Sequence, residues 1–184
     1  SHNTVGGTEF LAKMRAGWNW DYDVAAVHAA REVLGPDRDL IVDGTWRFGL
    51  DDAIAFAKVL EDVRAFWFEE PLATDDLDDF VALRAATSVP ISIGENEMAI
   101  HGFREWLRAG AVDIVQADAS RAGGITEVSK IAAEAAATGV RFAPHSWCDA
   151  VAVVANAHAV AAAPNGITVE IDQTGNRFIE ELLG

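Results

Sequence analysis

Asp43, Glu69 and Glu95 constrain this chain more than any other feature of its sequence. Each closes a short apolar run: Leu40-Ile41-Val42, Phe66-Trp67-Phe68 and Ile91-Ser92-Ile93-Gly94. They stand 26 residues apart, counted as 69 − 43 and 95 − 69. An acid at the tip of a buried strand is costly unless a positive group or a hydrogen-bond donor meets it. The pattern continues down the chain. Asp113-Ile114-Val115-Gln116-Ala117 runs into Asp118, Arg141-Phe142-Ala143-Pro144 into His145 after 27 residues (145 − 118), and Ile167-Thr168-Val169 into Glu170. A near-constant period with one strand and one helix per unit predicts βα units in a parallel sheet, closed as a TIM-type (β/α) barrel. No glycine-rich phosphate fingerprint follows the first strand, which counts against the doubly wound dinucleotide folds.

The helices between these runs are read from spacing and punctuation. Phe10–Arg15 is the first strand candidate. Asp21 or Asp23 is expected to cap a helix through Val24, Val27, Ala30 and Val33, stopped by Gly35-Pro36. Asp51 and Asp52 open a helix over Ile54, Phe56, Ala57 and Leu60. Further helices cover Leu77 to Leu83, Phe103 to Leu107, Thr126 to Thr138 and Ala150 to Ala163, with a short helical tail at the end. Seven strands result, the last at Ile167–Asp172, where a closed barrel of this kind has eight. The expectation is a single, incomplete (β/α)-barrel domain over residues 1–184.

The formal charge of −15 makes nucleic acid or an anionic membrane surface an unsuitable partner. Cys148 is the only cysteine, so no internal disulfide and no thiolate cluster can form, and a reducing, cytoplasmic setting is expected. No apolar run reaches the length of a membrane span.

In a parallel barrel the C-terminal strand ends converge, which brings Asp43, Glu69 and Glu95 towards one point. Three free anions there would raise one another's pKa, and a hard divalent cation resolves the conflict. An all-oxygen donor set suits Mg²⁺. Glu70 is expected beside the ligands, in a supporting or salt-bridging role. Asp118 and His145 end the next two strands, and a carboxylate beside an imidazole makes a general base near neutral pH. Glu170 is read as a rim acid, a hydrogen-bonding group or an arginine's partner. Lys13 and Arg15 point the same way from one strand. His28, His101 and His158 are assigned structural positions, and Cys148 a small buried one.

These residues, in order, resemble the barrel domain of the enolase superfamily in its mandelate racemase-like branch. The resemblance runs from Lys13-Met14-Arg15 through Val42-Asp43, Trp67-Phe68-Glu69-Glu70-Pro71, Gly94-Glu95-Asn96 and Ala117-Asp118-Ala119-Ser120-Arg121-Ala122-Gly123-Gly124 to Pro144-His145-Ser146 and Glu170. It implies Mg²⁺ on Asp43, Glu69 and Glu95, an acid/base dyad of Asp118 and His145, and Glu170 on a substrate oxygen. It implies Lys13 in catalysis and substrate binding, with Arg15 also on the substrate. The reaction implied is removal of the proton α to a carboxylate, giving an enediolate stabilised by the metal.

Two departures from the branch shape the expectations. Its racemases carry Lys-x-Lys, the second lysine acting as a base, where this chain has Arg15, which stays protonated. One-base chemistry through His145 is therefore expected, with dehydration of a sugar acid to a 2-keto-3-deoxy acid. A racemase or epimerase, or a non-catalytic barrel piece, are the alternatives. The branch's N-terminal capping domain and first barrel strand have no counterpart here, so the chain is expected to be part of a longer protein, inactive alone. Two unpaired sheet edges would follow, and with them a homo-oligomer.

Overall fold

A computed structural model describes residues 18–183; the expected first strand, with Lys13 and Arg15, lies outside the described residues. The described chain alternates helices and strands as α1 (Trp20–Leu34), β1 (Ile41–Asp43), α2 (Leu50–Asp62), β2 (Trp67–Glu69), α3 (Leu77–Ala86) and β3 (Ile91–Ile93). It continues as α4 (Ala99–Ala109), β4 (Ile114–Val115), α5 (Ile125–Ala137), β5 (Arg141–Phe142), α6 (Ala150–Ala162) and α7 (Arg177–Leu183). The strands form one parallel sheet in sequence order, β1-β2-β3-β4-β5, and among the described residues it is open. The chain divides into two compact units between Ser92 and Ile93, inside β3.

In the first unit, α1 starts at Asn19, whose Oδ1 accepts the Tyr22 N–H at 3.1 Å. This corrects the expected cap. Asp21 and Asp23 lie in the first turn, where their charge complements the helix dipole while Asn19 satisfies the Tyr22 N–H. Arg31, in the last turn, donates to the carbonyls of Val63, Gly35, Arg38 and Arg64 at 2.7–3.1 Å, pinning the loops that feed β1 and β2. Helix α2 buries Ala53, Phe56, Ala57 and Leu60, a stripe at i, i+3, i+4 and i+7. Phe56 joins Phe48 and Phe68 in an aromatic cluster with ring centroids 5.2–5.8 Å apart. β1 and β2 pair in the register Ile41↔Trp67, Val42↔Phe68 and Asp43↔Glu69, so those two acids end neighbouring strands level with one another. β2 continues the sheet through Phe68↔Ile91 and Glu69↔Ser92.

In the second unit, Gln116 N–H donates to Ile93 O at 2.8 Å, and β4 pairs β5 through Ile114↔Arg141 and Val115↔Phe142. α4 and α5 bury Phe103, Leu107, Val128, Ile131 and Ala135 and are tied by Arg104 Nε on Glu134 Oε2 at 2.8 Å. α6 is capped by Asp149, whose Oδ1 accepts the N–H groups of Val151 and Ala152 at 3.0 and 3.1 Å. It buries Ala150, Ala152, Val153, Asn156 and Ala159.

Among the described residues the expected seventh strand does not form. The chain after Pro164 makes one parallel bridge, Gly166↔Phe142, with Ile167 N–H on Phe142 O at 3.0 Å, and then leaves the sheet. Gly166 allows that approach, because a Cβ there would lie 2.4 Å from Val160 O. Beyond it Ile167 and Thr168 are exposed, and Ile171 is 49 % exposed. A β-prone run needs a partner backbone to become a strand, and among the described residues this one meets the end of β5 alone. His28, His101 and His158 stand exposed on α1, α4 and α6, away from any shared site.

Candidate active site

The first unit presents Asp43, Glu69 and Glu70. Asp43 Oδ1 accepts the Thr45 N–H at 2.8 Å, and Glu69 Oε2 accepts the Trp67 indole N–H at 3.1 Å. The backbone ladder runs on past both acids: Gly44 N–H donates to Glu69 O at 2.8 Å, Trp46 N–H to Glu70 O at 2.8 Å, and Phe48 N–H to Pro71 O at 3.0 Å. Gly44 is needed for this approach, since a Cβ there would lie 2.5 Å from Pro71 Cα. Thr45, Trp46 and Glu70 all hold positive φ (46°, 58° and 30°), a concentration of backbone strain beside the two acids. Glu70 is 2 % exposed and accepts the Trp46 indole N–H, so it clamps this loop.

The second unit presents Glu95, Asp118, His145 and Glu170. His145 is 5 % exposed, and its Nδ1 lies 3.0 Å from Asp118 Oδ2. An ionised carboxylate only accepts, so Nδ1 carries the proton and Nε2 is the basic nitrogen. Nε2 lies 3.8 Å from Glu95 Oε2, within ion-pair reach and beyond hydrogen-bond reach. Burial pushes the Asp118 carboxyl up, but hydrogen bonds from His145, Asn156 and Ser120 outweigh it and hold the group well below the usual carboxylate range. Burial of His145 disfavours its charged form. The bond to Asp118 and the charges of Glu170, Glu95 and Asp118 overcome this and raise its pKa. The ring is thus basic and ready to carry a proton.

Glu170 does not pair with an arginine at this contact; its Oε2 accepts the Ser146 N–H at 2.7 Å and fastens the residue after His145. Glu95 Oε1 accepts from Asn96 Nδ2 at 2.8 Å, and Arg121 Nη1 reaches Asn96 Oδ1 at 2.7 Å. Cys148 is half-buried, not fully so, with Sγ 3.7 Å from Asp118 Oδ2, and burial pushes its thiol up. Asn156 was not singled out from the sequence. It lies at the centre of the site, donating from Nδ2 to Asp118 Oδ1 at 3.0 Å. The signal was present: Ala150, Val153, Asn156 and Ala159 share one buried stripe, and Asn156 is its single polar member.

Carboxylates suit Mg²⁺ as donors, and Asp43 and Glu69 stand level on neighbouring strands. Among the described residues no three His, Cys, Asp or Glu side chains are drawn together as a ready-made metal cluster. No described helix is long and apolar enough to cross a membrane.

Parallel βα units with a carboxylate–imidazole pair at the strand ends define part of a (β/α)-barrel domain. The chain belongs to the enolase C-terminal domain-like family, whose model matches residues 11–183. D-galactarolactone cycloisomerase of Agrobacterium fabrum is 34% identical over 179 residues, 93% of this chain and 47% of that protein. D-galactonate dehydratase of Xanthomonas euvesicatoria pv. vesicatoria is 35% identical over 164 residues, 89% of this chain and 43% of that protein. The chain thus spans less than half the length of these relatives. Among solved structures, a variant of L-talarate/galactarate dehydratase liganded with Mg and L-glucarate has a TM-score of 0.77 at 32% identity, covering 84% of this chain and 38% of that one.

Proposed function

We propose that the complete protein carrying this chain is a Mg²⁺-dependent lyase that dehydrates a sugar acid to a 2-keto-3-deoxy acid. The His145–Asp118 pair is the observation that carries this reading. With Nδ1–H on Asp118, His145 Nε2 takes the proton α to the substrate carboxylate, and the C–H electron pair passes into the carbon framework. The imidazolium so formed is held by Asp118 and faces the negative charges of Glu95 and Glu170. Its Nε2–H then protonates the β-hydroxyl, the Cβ–O bond breaks with its electron pair, and water leaves. The enol that remains ketonises to the product.

Asp43, Glu69 and Glu95 would hold the Mg²⁺ ion. When bound, the ion supplies positive charge against the substrate carboxylate and the charge that grows on it as the proton leaves. Lys13, Arg15 and Glu170 are assigned to substrate contacts, and Glu170 also steadies the loop after His145. A sugar-acid substrate is supported by the dehydratase relative and by the L-glucarate in the similar structure. We place the protein in the cytoplasm as a homo-oligomer.

A screen of the complete protein against sugar acids should give a 2-keto-3-deoxy product from at least one acid with Mg²⁺ and none after EDTA. Glu69→Gln should weaken calorimetric Mg²⁺ affinity at least tenfold. No product from any acid, with Mg²⁺ affinity unchanged in Glu69→Gln, would overturn the proposal.

A further inference from the structure

We propose that Asn156 is the positioning residue of the Asp118–His145 pair, fastening both members to α6 without touching substrate. Its side chain is 0 % exposed, and burying an amide is costly unless its polar atoms are bonded. They are bonded, and to the pair. Nδ2 donates to Asp118 Oδ1 at 3.0 Å, to His145 O at 3.0 Å and to Ser146 Oγ at 2.9 Å, sharing two N–H groups among three acceptors. Oδ1 accepts the Ala119 N–H at 2.9 Å. The amide orientation follows from its neighbours, because a flip would set Oδ1 against a carboxylate and a carbonyl, and Nδ2 against an N–H.

The effect on Asp118 is specific. Its Oδ2 faces His145, while Oδ1 is held by the Ser120 N–H at 2.8 Å and by Asn156. With both ends fixed, the carboxylate plane cannot turn away from the ring. Asn156 fixes the other partner through the His145 carbonyl, so one side chain sets the distance between acid and imidazole. Small errors in such a distance weaken proton transfer far more than they weaken substrate binding.

This inference rests on the function proposed above only for its kinetic readout, so the test has two arms. In the first, the His145 Nδ1–H is followed by proton NMR in the complete protein. Asn156→Ala should speed its exchange with water at least tenfold. Asn165→Ala should leave it unchanged, since that amide bonds Ala132 O and Val140 O and neither member of the pair. In the second arm, Asn156→Ala should lower kcat about 10- to 100-fold with KM held within about twofold, the range seen when an orienting partner is lost. Asn156→Asp keeps the shape but sets a second acid against Asp118, and should lose kcat at least as far; it serves where the alanine variant does not fold. Unchanged ring-proton exchange in both Asn156 variants, or an equal effect from Asn165→Ala, would overturn the inference. A faster ring proton in a protein that turns over no sugar acid would leave Asn156 as positioned here and refute the function instead.

Discussion

Single carboxylates in this chain do different work according to what meets them. Glu61, on the last turn of α2, accepts the Ser88 N–H at 2.7 Å and the Thr87 hydroxyl at 2.9 Å, near Lys58. The Ser88 N–H and the Thr87 hydroxyl, with smaller help from the Ser88 hydroxyl and Lys58, lower its pKa from 4.5 to about 2 against the cost of burial. A carboxyl more acidic in the folded than in the unfolded chain stabilises the fold once both are ionised. That stability is complete above pH 4.5 and is lost as pH falls towards about 2. Glu61→Gln should therefore cost about 1.5–3 kcal/mol at pH 7, the value of a hydrogen bond to a charged group. Its denaturation midpoints should converge on those of the unsubstituted chain as the pH is lowered through this window. At the same scale, Asp118 and His145 were legible because each ends an apolar run at a regular period. Asn156 was not, because alanine-rich periodicity masks one amide. Its role depends on what the buried stripe of α6 faces, which spacing alone does not specify.

Elements were legible where a helix and a strand each had a face to bury. In α2, Phe56, Ala57 and Leu60 are buried as the period predicts, with Ala53 taking the place expected for the half-buried Ile54, and β1 to β5 all overlap the apolar runs that end in polar groups. The run Ile167–Asp172 looked equally strand-like, but among the described residues its contact with the sheet is the Ile167 N–H on Phe142 O, beside the Gly166 bridge, because strand formation requires a neighbouring backbone as well as β-prone residues. The cap of α1 was misassigned by four residues at most, since asparagine and aspartate compete for the same role and only the bond to the Tyr22 N–H decides it. α6 links element to site: its cap, Asp149, fixes the helix that carries Asn156. Asp149→Ala should cost about 1 kcal/mol. Urea unfolding followed by circular dichroism would check this, and an unchanged midpoint would show that the cap is dispensable.

At the scale of the whole molecule, the charge of −15 includes the three carboxylates proposed to hold Mg²⁺, which would not be free charges with the ion bound. The parallel βα order was readable from the 26-residue period, and the family match over residues 11–183 agrees with it. The identity of the proposed sugar acid was not readable, because the strand-end motifs carry only the proton chemistry proposed for the site. In the proposed reaction, His145 removes the α-proton. The most direct test is exchange of the substrate α-proton in D₂O, followed by NMR on the sugar acid that remains during turnover by the complete protein. The unsubstituted protein should wash deuterium into the α position, and His145→Asn, which keeps a polar group of similar size, should show none above the uncatalysed rate. Exchange persisting in His145→Asn at a rate near that of the unsubstituted protein would contradict the account.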